Sequence, residues 1–145
     1  MPEDARELYD EARAVLAVSQ RAGAALARAT LERLLRSLDP EAGKVDLASR
    51  IERIMPKVSS SLAQMLTVVR HVGNKSLHVE DDPDEATVLV LSDEQAEVSG
   101  LLFESINALV DELVTKKKVA EAIYSKLPAG VRAKVEAALA EKAKD

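Results

Sequence analysis

Leucine residues in segment 20–38 recur at the spacing of one helix face, and this pattern constrains the fold more than any other feature. From Leu31, further leucines follow three, four and seven positions later, at Leu34, Leu35 and Leu38. An α-helix places residues at these intervals on one side. Aromatic residues make up only 2% of the chain, whereas β-sandwich cores need short alternating runs of β-branched and aromatic residues. The sequence therefore predicts an all-α fold with an aliphatic core.

Capping and turn residues divide the chain into a predicted bundle of about five to six helices. Ser19 and Asp46 are suited to the N-cap positions of the second and third helices, and the run 59–61 to that of the next. Residues 79–92, rich in aspartate and glutamate, interrupt the helical period. They predict a short irregular or β-prone loop. Ser92, three residues before a glutamine, predicts the start of a further helix.

Length and composition predict a single helical domain over residues 1–130, followed by an exposed C-terminal helix or tail over residues 131–145. The chain has 145 residues and no cysteine, which excludes disulfides, thiolate metal ligands and a cysteine nucleophile and agrees with a reducing cytoplasm. It contains no run of about 18 apolar residues, and its first residues are acidic. We therefore expect a cytoplasmic protein without membrane contact.

The net charge of −5 restricts any contact with nucleic acid to a local patch, because proteins that coat nucleic acid are usually basic. Cations concentrate at Arg50, Arg53, Lys57, Arg70 and Lys75, and Arg53 and Lys75 are candidates for phosphate binding. The acidic segment 80–85 follows and repels phosphate. It lacks the ligand spacing and the turn glycine of a calcium loop, and no nucleotide-cofactor motif is present. No metal and no cofactor are predicted.

Both histidines of the chain lie in the stretch RHVGNKSLH, from Arg70 to His78. If the preceding helix continues, Arg70, Asn74 and His78 form a polar ridge at intervals of four residues. Gly73 then lies among core positions, where it would allow the close approach of a neighbouring helix. In the other interpretation, Gly73 follows the helix end and Arg70 complements the helix dipole. Periodicity alone favours this second interpretation.

The residue types of the ridge suit the cleavage of RNA without a metal ion. Arginine presents a fixed fork of donors to phosphate, and histidine has an ordinary pKa of about 6.5, which allows proton transfer near neutrality. Asparagine can hold a ring or a phosphate oxygen in position. One ridge is a sparse site, so a two-fold dimer that joins two ridges would form a more complete one.

Three segments resemble a known family. RHVGNKSLH matches the R-x-x-G-N-x-x-x-H signature of the bacterial family catalogued as domain of unknown function 4145, which belongs to the HEPN (higher eukaryotes and prokaryotes nucleotide-binding) superfamily. ARATLERLLRSL is similar to the arginine-bearing second helix of that family. LLFESINALVDELVTKKKVAEAIYSKLP resembles its closing helix, with Asn107 in mid-helix and the ending Tyr124 to Pro128. The resemblance covers about residues 5–130.

The resemblance implies an α-helical bundle that dimerises through the helices flanking the Arg/His motif. In active members of the superfamily, a composite Arg–His site at that interface acts as a metal-independent ribonuclease. Such domains recur in toxin–antitoxin, restriction and phage-defence systems. If the motif residues have the same roles in this chain, Arg70 would bind the scissile phosphate and His78 would be the general base or acid. Asn74 would orient one of them. His71 follows Arg70 directly and would assist or replace His78.

Two features of the sequence favour a module without catalysis. Seven residues separate Arg70 from His78, whereas the superfamily's ribonuclease motif generally has four to six, and an acidic segment follows at once. We therefore predict a dimeric interaction or regulatory module that binds a protein partner or a nucleotide, with Gly73 and Asn107 in structural roles. The alternative is a ribonuclease that acts on RNA through Arg70, Asn74 and His78.

Overall fold

The computed structural model describes the backbone of residues 1–75 and 94–142 and the side chains of residues 1–71 and 99–141. A π-helical segment, Asp111–Thr115, joins two helices without a break. The described residues contain seven α-helical segments and no strand, which confirms the all-α prediction. The fifth and sixth segments and the π-helical segment between them form one continuous helix, so the bundle has six helices within these residues. The helices are α1 (Glu3–Leu16), α2 (Gln20–Leu38), α3 (Leu47–Ile54), α4 (Ser60–Lys75), α5 (Glu94–Val110), α6 (Lys116–Tyr124) and α7 (Ala129–Lys142).

Side-chain caps fix where the early helices begin, as the sequence predicted. The Ser19 hydroxyl accepts a hydrogen bond from the backbone N–H of Ala22 at 3.2 Å. The Asp46 carboxylate accepts one from the N–H of Ser49 at 2.8 Å, and this hydrogen bond is the main reason that the pKa of Asp46 lies below its ordinary value. Each cap satisfies a backbone donor that the first helical turn leaves unpaired.

The core consists of aliphatic side chains from α2, α3, α4 and α5. The helical intervals noted in the sequence direct them inward, and α2 lies at the centre, in contact with α1, α3 and α5. The largest fully buried aliphatic side chains are Leu31, Leu34, Leu35, Ile51, Ile54, Leu62, Leu66, Ile106 and Leu109. Such packing holds α3 and α4 against the bundle and so positions the polar stretch at the end of α4.

Helix α4 continues through Gly73 to Lys75. The interpretation that periodicity alone favoured, with the helix ending before Gly73, is therefore wrong. Arg70 and Asn74 lie one turn apart on the same helix. His78, the predicted loop over residues 79–92 and the predicted cap at Ser92 lie outside the described residues.

The C-terminal helices α6 and α7 leave most of their side chains exposed. Tyr124, the last residue of α6, donates a hydrogen bond from its hydroxyl to the backbone carbonyl of Arg132 in the first turn of α7, at 3.1 Å. The predicted domain boundary at residue 130 falls inside α7. None of the helices within the described ranges is long and apolar enough to cross a membrane.

Candidate functional site

Arg70 lies near the C-terminal end of α4 and faces α3. Its Nη1 is 2.8 Å from Oε1 of Glu52, and the two side chains are 38% and 56% exposed. Arg70 is also close enough to Asp46, at the start of α3, to contribute to lowering the pKa of that carboxyl group. The guanidinium therefore already has a carboxylate partner, whose negative charge opposes the binding of a phosphate there.

The structure describes the other residues of the predicted ridge only in part. His71 is exposed and lies about 100° around the helix from Arg70, so it does not share the side of α4 that meets Glu52. Gly73, Asn74 and Lys75 lie on the last turn of α4, and their side-chain surroundings fall outside the described set. The structure therefore places Arg70 and the helix that carries Asn74, but does not bring a histidine to Arg70 within the described residues.

Arg53, a candidate for phosphate binding, pairs with Asp39 across the connection between α2 and α3. Its Nε lies 2.7 Å from Oδ2 of Asp39 and its Nη2 lies 3.3 Å from Oδ1, so both carboxylate oxygens are used. The hydrogen bond from Arg53 is the largest cause that lowers the pKa of Asp39, and the charges of Lys57 and Arg50 add to it. Two donors of the Arg53 guanidinium are thus directed at Asp39.

Arg50, which the sequence groups with the surface cations, is buried. Its Nη2 donates to the carbonyl oxygen of Gly43, the residue that turns the chain before α3 with a φ of 64°. Its Nε and Nη1 have no hydrogen-bond partner among the described residues. Arg50 therefore fixes the turn before α3 and offers no donor on the surface.

Asn107 connects α5 to α1. Its Oδ1 accepts a hydrogen bond from the hydroxyl of Tyr9 at 2.9 Å, and the Tyr9 ring packs edge-to-face on Phe103, with the ring centroids 5.3 Å apart. These three residues, with Arg13 and Leu16, line a shallow surface groove. No local pattern in the sequence indicates this pair of aromatic rings, because the contact joins residues almost a hundred positions apart.

Glu112 is a second long-range contact that the sequence did not indicate. Its carboxylate accepts hydrogen bonds from the hydroxyl and the backbone N–H of Ser59, at 2.6 and 2.9 Å. These bonds lower the pKa of Glu112 below its ordinary value. The π-helical segment, which contains Glu112, is thereby tied to the residue that precedes α4.

The C-terminal helices carry the most extended exposed apolar feature of the described residues. Six large aliphatic side chains, three at four-residue intervals along α6 and the turn after it and three along α7, are each 38% to 62% exposed. We call the first set the α6 stripe (Val119, Ile123 and Leu127) and the second the α7 stripe (Val131, Val135 and Leu139). The signal was present in the sequence as helical spacing, but spacing alone does not tell a buried face from an exposed one.

A family model described as a domain of unknown function, DUF4145, matches residues 10–126. This range includes all helices from α2 to α6, the second half of α1 and every residue of the Arg70–His78 stretch. No curated protein and no solved structure matches the chain significantly. The match thus covers the residues that carried the resemblance in the sequence, except Leu127 and Pro128.

Proposed function

The chain belongs to the DUF4145 family of domains of unknown function, and we propose that it acts as a dimeric, HEPN-like interaction and regulatory module without catalytic activity. In this proposal it works in the cytoplasm, in a phage-defence, restriction or toxin–antitoxin context, which is the setting that the HEPN resemblance implies. Its ligand is another protein surface, and no metal or cofactor takes part.

The observation that carries this proposal is the exposure of the α6 and α7 stripes. Isolated apolar residues on a surface are common, but a contiguous exposed apolar patch usually marks an interaction site. Here the exposed residues repeat at helical spacing over two consecutive helices, so on each helix they lie on one side. The stripes therefore supply what an interaction module needs, a surface that loses contact with water when a partner binds.

The pairing of the arginines supports the absence of catalysis. Arg70 is engaged with Glu52 and Arg53 with Asp39, so a phosphate at either guanidinium would compete with a carboxylate at close range. The chain as a whole carries a net charge of −5, which opposes the approach of RNA. These features lower the affinity expected for a polyanionic substrate.

A metal-independent ribonuclease remains the second candidate, and the continuation of α4 favours it. Because the helix runs through Gly73, Arg70 and Asn74 are one turn apart, as the polar ridge requires. The Arg70 side chain is also accessible. In this candidate function, two ridges meet across a dimer interface, Arg70 binds the scissile phosphate, and His78 transfers the proton.

The cleavage of single-stranded RNA in the presence of a chelator separates the two functions. We expect the RNA to stay intact with the wild-type chain and with the Arg70→Ala and His78→Ala variants. Arg36→Ala is the matched control, because Arg36 also forms an exposed ion pair with a glutamate, Glu32, at 3.1 Å. Cleavage by the wild type and by Arg36→Ala that is lost in both other variants would establish the ribonuclease instead.

A further inference from the structure

We infer that the α7 stripe is the contact surface for a second copy of this chain, with the two α7 helices packed antiparallel. The inference rests on the proposed function in one respect, that the module is dimeric. It differs from the arrangement that the family resemblance implies, because it places the contact on the C-terminal helix and not on the helices that flank Arg70.

The α7 stripe lacks a covering element among the described residues. Val131, Val135 and Leu139 are 45%, 38% and 61% exposed. The hydrogen bond that joins the end of α6 to α7 runs from the Tyr124 hydroxyl to the backbone carbonyl of Arg132 and uses none of these three side chains. The three side chains follow one another at four-residue intervals, so each lies about 40° around the helix from the last. They form one continuous apolar side of α7, long enough to receive another helix.

The charges beside the stripe identify a second copy as the occupant. At about 100° per residue, Arg132 and Glu136 lie on one flank of the stripe, and Lys134 and Glu141 lie on the other. On each flank, therefore, the cation precedes the glutamate in the direction of the chain. Among the described residues none of the four forms an ion pair. Lys134, Glu136 and Glu141 are exposed, whereas Arg132 is half-buried and its Nε is buried without a hydrogen-bond partner among the described residues.

An antiparallel copy matches this order of charges. A two-fold axis perpendicular to two antiparallel helices brings each flank against the same flank of the partner, in the reverse direction. The cation of one helix then approaches the glutamate of the other on both flanks, whereas a parallel copy would bring cations near cations. A two-fold interface requires a surface that is complementary to itself, and complementary charges favour the correct partner and orientation.

The size of the surface sets the expected strength of the contact. Helix α7 has 14 residues and is about 21 Å long, so two α7 helices alone bury less than the roughly 800 Å² per partner of a standard stable interface. The α6 stripe extends the apolar surface through Leu127, in the turn before α7. We expect a reversible dimer whose fraction rises with protein concentration.

Sedimentation equilibrium of the full chain over a range of concentrations tests the inference. Val135→Lys places a charge in the middle of the stripe, and we expect it to remain monomeric where the wild type is dimeric. Ala133→Lys is the control, because Ala133 is exposed and lies about 160° around α7 from Val135. Its dimer should match that of the wild type, and equal helical circular dichroism of both variants shows that each is folded.

A charge exchange tests whether the partner is a copy of the chain. Lys134→Glu puts two glutamates together on one flank, and we expect it to weaken the dimer about fivefold. The double variant Lys134→Glu with Glu141→Lys reverses the order of charges and should restore the wild-type dimer, because both copies carry the same exchange. No restoration would overturn the antiparallel arrangement.

Failure of the inference and failure of the proposed function give different results. A wild-type dimer that Val135→Lys leaves intact would overturn the contact through α7 and would leave a dimeric module standing. A wild type that is monomeric at every concentration would overturn both. The absence of catalysis is decided separately, by the RNA assay, which does not depend on α7.

Discussion

Asp39 shows at the scale of one residue how the chain uses its arginines. The carboxylate side chain is 9% exposed and receives two hydrogen bonds from Arg53, so the ionised form is favoured in the folded state and the pKa of Asp39 is lowered. Arg70 follows the same pattern with Glu52. Arginines that the sequence alone assigns to phosphate are thus also structural residues, which link α3 to its neighbours.

The lowered pKa of Asp39 predicts how Asp39→Asn affects stability. The ordinary pKa is 3.8, so the stabilisation from the ionised group is complete above that value and disappears as the pH falls through the folded-state pKa. We expect Asp39→Asn to lower the free energy of unfolding near neutral pH and to approach the wild type in acid. Urea unfolding across this pH range measures the difference.

Asp10→Asn serves as the control for this pH dependence. Asp10 is exposed on α1 and forms no ion pair with any of the described residues. Its free energy of unfolding should follow that of the wild type at each pH. A difference for Asp39→Asn that grows as the pH falls would contradict the proposed role of Arg53.

At the scale of the elements, the packing of α1 on α2 depends on Gly23. A Cβ atom at this position would lie 2.7 Å from the Cα of Leu16 and 2.9 Å from its Cβ, so the backbone of α1 would have to move. Gly23 lies in the first turns of α2, where the chain has just reversed direction after α1. The missing side chain is therefore what allows the two helices to approach.

Gly23→Ala is expected to lower the free energy of unfolding by about 1–3 kcal/mol, the usual cost of forcing extra volume into a packed contact. The matched control is Gly100→Ala. Gly100 lies within α5 and is exposed, with nothing within 4 Å of an added Cβ, so alanine there should raise the free energy of unfolding by roughly 0.5–1 kcal/mol. Chemical denaturation measures both, and equal effects would contradict the packing argument.

Features set by neighbouring residues were predictable from the sequence, and features set by distant ones were not. The caps at Ser19 and Asp46 depend on three or four consecutive residues, and both predictions were confirmed. The hydrogen bonds from Ser59 to Glu112 and from Tyr9 to Asn107 join residues far apart in the chain, and no local pattern encodes them. The prediction that α4 ends before Gly73 was wrong, because a glycine is compatible with both a helix end and a helix interior.

At the scale of the whole molecule, the chain combines a closed aliphatic core with two C-terminal helices whose stripes lie exposed. The helical periods predicted the core because burial is their commonest cause. The same periods could not show that Val131, Val135 and Leu139 would lie without a covering element among the described residues, since that depends on the arrangement of all the helices. Of the candidate catalytic residues, the structure describes the side chain of Arg70 and its partner Glu52, and His78 lies outside the described residues.

A single introduced cysteine tests most directly that the molecule works by pairing with its own copy through α7. The chain contains no cysteine, so a new thiol can form a disulfide only with another copy, and only if the two Cα atoms come within about 7 Å. Under mild oxidation we predict that Val135→Cys forms a covalent dimer rapidly and that Ala133→Cys, on the opposite side of α7, does not. Equal rates in the two variants, or a Val135→Cys chain that stays monomeric, would contradict the account.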